Sequence, residues 1–285
     1  MNQEKPTRYV IFLIAIIGAV VFLQMCMQLI HQWSDIDFNR NLNLLFAQLI
    51  KDIWLNHSLL ELFFNGVIGF TMVKMVWHII KQIYLHRKWN AFFKSKKHDG
   101  LTRKLNKKYS SWGTTFLVVR DSSFFALSMG LFHPKIVIST GLLNVVHEKE
   151  QRAILYHERY HCHKFDPLKM VVITLIMNSM SYVPALKGLV QYYKIWKELL
   201  ADRFVIQQMG SALELGNALL KMISLGKREQ QNVGVHFGET AIHYRIQQIT
   251  EPKSLLRIPF VSFKSLLCSL VVLLMMMFIS IGGHL

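Results

Sequence analysis

The chain has 285 residues, 52% of them hydrophobic and 18% charged, with a mean hydropathy of +0.28, too apolar for a plain soluble enzyme of one large or two ordinary domains. Lys and Arg number 33 against 17 Asp and Glu, and the net charge of +16 suits anionic lipid head groups or nucleic acid. Three scattered cysteines, Cys26, Cys162 and Cys268, exclude the disulfide-rich secreted folds and an all-cysteine zinc site.

Residues 9–30 carry no charge and, at about 1.5 Å per residue, are long enough to cross a hydrocarbon core of about 30 Å. A spanning helix is expected there. It is retained rather than cleaved, because Gln24 to Gln28 carry the run on to His31 with no small-residue cleavage site. Residues 59–80 form a second expected span, in which Glu61 and Lys74 lie within about two turns of an end and reach the interface. These two spans make residues 1–80 an N-terminal membrane region. Residues 81–108 then hold ten Lys and Arg against the single acid Asp99, whereas the 31–58 connection holds Arg40 and Lys51 against Asp35, Asp37 and Asp52. The positive-inside rule puts the first segment in the cytosol and the second outside.

The basic run has Tyr109, Trp112 and Phe116 nearby, a little of the aromatic interleaving used by nucleic-acid binders. A charge run beside a span ordinarily meets lipid, and no helix-turn-helix or zinc-finger spacing accompanies it. Membrane lipids are therefore the expected partner, and direct nucleic-acid binding is not expected.

Residues 81–261 read as an α+β domain. Runs of β-branched and aromatic residues predict strands over 115–120 and 135–140, with 123–130 as a third. Helices are predicted over 148–163 and over 190–209, the latter closed by Gly210. Ser211 with Glu214 makes a capping box for another helix, and 240–250 is a fourth before Pro252. The stretch 168–186 is apolar but interrupted by Asn178, Ser179, Ser181 and Pro184, so a membrane-apposed hairpin or buried helix pair is expected rather than a span. A last span follows Lys264, making 262–285 a C-terminal transmembrane helix and giving about three spans in all. The Met275 to Met277 run is span filler.

His157-Glu158-Arg159-Tyr160-His161 is an HExxH sequence on a predicted helix. The i,i+4 spacing puts both imidazoles on one face, able to hold one Zn²⁺, with Glu158 beside them as general base. A catalytic zinc needs a third protein ligand, and Glu198 on the later helix supplies it. Asp202, one turn on, shares that face and can accept the free ring N–H of a ligand histidine. Cys162 and His163 point off the ligand face and read as structural. His236, His243, Tyr244 and Arg245 are the side chains that could supply an oxyanion donor, but solvated loop and helix positions are the expectation for them. A silent or structural zinc site in a scaffold protein is the non-enzyme alternative, favoured if Cys162 or His163 closed the metal's fourth position.

With these residues in place, the sequence resembles the BlaR/MecR-type antirepressor membrane metallopeptidases from about Leu85 to Leu285. The resemblance rests on Ala126–Gly130, the Leu131 to Ile138 segment, Gly141-Leu142-Leu143, His157 to His161 with Asp166 five residues on, Glu198 to Asp202, and Tyr244-Arg245-Ile246. It implies a cytosolic gluzincin-like zinc peptidase domain, with zinc on His157, His161 and Glu198, catalysis by Glu158, and supporting acids at Asp166 and Asp202. It also implies cleavage of a cytosolic DNA-binding repressor in a transcriptional circuit such as an antibiotic or envelope-stress response. Sensor members of that family carry a penicillin-binding domain, which this sequence lacks. Ser224 and Lys227 spell SxxK with neither S-D-N nor K-T-G, so acylation by a β-lactam is not expected. Only two spans precede the domain, a second departure. The alternative enzyme is an HtpX-like quality-control protease, for which the 36 residues between the two motifs are short. The expected location is the cell membrane, multi-pass, and a homodimer is left open.

Overall fold

A computed structural model describes residues 5–34, 59–229, 236–251 and 256–282. Most of the 31–58 connection, Pro252, residues 283–285 and the side chain of His236 lie outside what is described. Among the described residues the chain is mostly helical, with one small sheet. Its elements in order are α1 (Lys5–Ser34), α2 (Leu59–Ser95), α3 (Asp99–Lys108), β1 (Thr115–Val119), β2 (Ala126–Met129), β3 (Lys135–Ser139), α4 (Thr140–Val145) and α5 (Glu148–His163). They continue with α6 (Asp166–Ser179), α7 (Pro184–Met209), α8 (Leu213–Glu229), α9 (His236–Thr250) and α10 (Phe263–Gly282).

The sheet has the order β1-β3-β2, with β1 parallel to β3 and β2 antiparallel to it. Side chains alternate across a strand, so Ile136 and Ile138 of β3 join Phe116, Val118, Leu142 and Leu155 on one face. Val137 joins Val119, Met129 and Phe93 on the other. The second face of α5 packs Ala153 and Tyr156 against Val205 of α7 and Leu215 of α8. The motif helix is thus held between the sheet and two later helices, apolar on both sides. Its start is pinned by the His147 N–H, which donates to Glu150 Oε2 at 2.9 Å, and by Lys221 of α8, 2.6 Å from the same oxygen. Gly141 lets the β3–α4 turn approach the 121–123 loop, because a Cβ there would collide with the Ser122 carbonyl.

Several expectations are refined. The stretch 168–186 is two helices, since α6 ends at Ser179 and α7 begins at Pro184. Proline suits the first turn of a helix and keeps the preceding residue extended, so α7 begins at Pro184, ahead of the predicted 190. Gly210 closes α7 with a φ of 70°. The Ser211–Glu214 capping box does not form: α8 starts at Leu213, which puts Glu214 one position too early in the helix. Ser211 Oγ accepts from the Leu213 N–H at 3.1 Å instead. Helix α9 begins at His236, ahead of the predicted 240.

By length and composition α1 and α2 can cross a bilayer, over Lys5–Met27 and within Leu62–Ser95. Helix α10 is apolar over the shorter described run Phe263–Met277. The chain divides into two compact units, each built from three stretches. One comprises 1–8, 81–172 and 191–258, and the other 9–80, 173–190 and 259–285.

Candidate active site

On α5, His157 and His161 are one turn apart with both rings buried, and their Nε2 atoms face each other at 3.1 Å. Glu198 comes from α7, its Oε2 3.2 Å from His157 Nε2 and its Oε1 3.7 Å from His161 Nε2. One donor atom from each of the three lies within 4.8 Å of the others, and among the described residues this is the group of His, Cys, Asp and Glu that can hold a metal ion. Three ligands in tetrahedral array around zinc at about 2.0–2.1 Å would be about 3.3 Å apart, close to what the side chains already show.

Each histidine has its own buried acid. Asp202 Oδ1 lies 2.9 Å from His157 Nδ1, and Asp166 Oδ2 lies 2.7 Å from His161 Nδ1. A carboxylate on Nδ1 holds the proton there and leaves the Nε2 lone pair free for a cation. Asp166 reaches His161 because Phe165 takes a left-handed turn, φ 54°, between α5 and α6. Tyr193 of α7 donates to Asp166 Oδ1 at 3.1 Å.

Behind Asp202 stands Arg245 of α9, with Nε and Nη2 2.8 and 2.9 Å from its two oxygens. Its Nη1 is 3.5 Å from Glu198. The expectation of a solvated Arg245 is therefore corrected: the residue is buried, because Asp202 is fully buried and needs a counter-charge. His243 is exposed and Tyr244 half-buried, outside this cluster. Lys197, beside Glu198 in sequence, also enters the site, its Nζ 2.8 Å from Glu198 Oε1. The one signal for Lys197 in the sequence is its adjacency to a ligand.

Neighbouring groups keep one another ionised despite burial. Burial acts to raise the Glu198 carboxyl, but Lys197, His161 and His157 hold it well below the usual range. Burial likewise opposes Asp202, and Arg245 and His157 outweigh it. Burial works to discharge His161, yet Glu198 and Asp166 raise it to about 9. A metal ion would take the place of the extra His161 proton, and with both histidines then neutral the carboxylates Glu158, Asp166, Glu198 and Asp202 face the buried cations Lys197 and Arg245, with Lys169 3.8 Å from Asp166 at the more exposed rim. The excess of negative charge and the nitrogen and oxygen donors fit a divalent transition metal. Cys162 packs into the core beneath the sheet, where burial pushes its thiol up to about 12, and His163 lines a separate pocket with Arg159 and Phe204. Neither joins the donor group.

A cleft of about 620 Å³ opens over these residues. Glu158 lines it, as do Ala126, Leu127 and Ser128 of β2 on one side and Leu215 and Leu219 of α8 on the other. The predicted strand 135–140 directly precedes the motif helix, the order in which zincins place the strand that holds substrate, but it is not the strand that lines the cleft. That strand is β2, because β3 is paired along both edges whereas β2 is the sheet's outer strand on that side.

No curated protein sequence matches the chain. The sequence model of the BlaR1 peptidase M56 family matches residues 49–249, well over half of it, and that stretch contains every residue of the cluster just described. The chain therefore belongs to the BlaR1 peptidase M56 family, a family of membrane metallopeptidases.

Proposed function

We propose that the protein is a zinc-dependent endopeptidase of the BlaR/MecR type, a multi-pass membrane protein whose 81–261 domain works in the cytosol on a protein substrate. The observation that carries this reading is the convergence of His157, His161 and Glu198 in a cleft shared by Glu158 and β2. The three ligands would hold zinc, which when bound polarises a scissile carbonyl and makes water acidic enough to attack at neutral pH. Glu158 takes the proton of the attacking water and returns it to the leaving amine. Asp202 and Asp166 keep the ring protons on Nδ1, so both histidines face the ion in the correct tautomer. An extended segment of substrate pairs with β2 through its backbone, which brings its carbonyl to the histidines.

The cytosolic orientation is supported by the ten basic residues of 81–108. A cytosolic site and the family together favour a small DNA-binding repressor as substrate, with the signal arriving through the spans, the 31–58 connection or a partner protein. Glu158→Gln keeps the ligands and removes the proton shuttle. The purified variant should retain about one zinc per chain and lose proteolysis. Proteolysis that survives would remove Glu158 from this role. Unchanged transcripts in a Glu158→Gln strain under envelope stress, with misfolded membrane proteins accumulating, would move the assignment to quality control.

A further inference from the structure

Lys197 lies in the cleft beside the donor atoms, and the proposed chemistry gives it no task. Neighbours i and i+1 on a helix do not face each other, so the helix alone does not bring Lys197 onto Glu198. Its Nζ is nevertheless 2.8 Å from Glu198 Oε1, with about four-fifths of both side chains buried. A buried ammonium needs a counter-ion, but Asp166 and Glu158 also lie within its electrostatic range. The contact therefore selects one carboxylate and one oxygen of it.

The two oxygens of Glu198 have different surroundings. Oε2 is 3.2 Å from His157 Nε2 and has Arg245 Nη1 no nearer than 3.5 Å, whereas Oε1 carries the ammonium at 2.8 Å and is 3.7 Å from His161 Nε2. A carboxylate oxygen already holding a charged N–H donor is a poorer ligand, and the ammonium repels a second cation from that side. We propose that Lys197 is a positioning residue: it occupies Oε1, makes Glu198 a one-oxygen ligand and so keeps a coordination position open for substrate. A carboxylate giving both oxygens would add a donor beside the water, five in all, and so take the place into which a catalytic zinc expands when substrate binds. The proposal rests on the metal-binding reading of the site.

The test uses the full chain in detergent, loaded with cobalt(II), which absorbs visible light several times more strongly in four-coordinate than in five-coordinate sites. Wild type should take up one cobalt per chain and show the strong band. Lys197→Met should load equally, with its band at least halved and kcat lowered about tenfold at little change in KM. Lys197→Arg should keep the band, because a guanidinium can donate to the same oxygen. An unchanged band in loaded Lys197→Met, with only the melting temperature lowered, would overturn the proposal and leave Lys197 a packing residue. A wild type that takes up no cobalt would instead overturn the metal reading. Should Lys197→Met fail to fold, X-ray absorption at the zinc edge of wild type decides: one carboxylate oxygen on the metal is expected, and two would refute the assignment.

Discussion

Asp202 carries its charge with no solvent exposure, and Arg245 is what makes that tolerable. Removing one partner of a buried ion pair leaves the other uncompensated, a loss of about 3–5 kcal/mol. Arg245→Leu should therefore lower the melting temperature sharply and also weaken metal binding, because Asp202 would no longer be held against His157 Nδ1. Thermal unfolding and a zinc titration of the purified variant measure both, and a variant with wild-type stability would remove Arg245 from this role. The motif histidines and Glu158 were readable from sequence because a helix of fixed period aligns them. Glu198 and Asp202 followed from the same spacing on a second helix. Arg245 was not readable, since it meets Asp202 across 43 residues of chain and its local sequence looks like any solvated helix. Lys197 was obscured for the opposite reason, as sequence neighbours on a helix normally diverge.

Helix α5 must keep its start fixed for its last turns to aim at Glu198. Burial acts to raise the Glu150 carboxyl, but Lys221 and the His147 N–H overcome it and leave it below the ordinary value of 4.5. A carboxylate depressed on folding contributes stability that is complete above its ordinary pKa and is lost as pH falls through its folded one. Lys221→Met should cost about 1.5–3 kcal/mol near neutral pH. The gap between variant and wild type should narrow as pH falls below the ordinary carboxylate range and through the depressed value of Glu150, where the residue protonates in both. Melting curves across that range check it, and a gap independent of pH would mean that the pair is not ionic. At this scale the strands and most helices were legible from their residue types. Their pairing was not: β1 lies parallel to β3 while the intervening β2 takes the outer edge, an order no local pattern encodes. The capping box failed because a shift of one residue in a helix start is enough to misplace Glu214.

Across the molecule, sequence gave apolar runs that coincide with α1, α2 and α10, while the route of the chain between units needed the structure. With native cysteines replaced, single cysteines introduced at the exposed positions Asp99 and Gln207 should be labelled from the same side of the membrane, and one near residue 40 from the other. Opposite labelling of the first two would make 168–186 a span that separates His161 from Glu198. The division into two units also bears on the order of events during synthesis. Neither unit is an uninterrupted piece of chain, and the cluster draws its parts from residue 157 through to residue 245. A chain emerging from the ribosome exposes both histidines first, then Glu198, and only with α9 the arginine that secures Asp202. The cluster therefore stays incomplete on the ribosome until a residue 88 positions beyond its first histidine has been made, so the HExxH helix alone cannot assemble it.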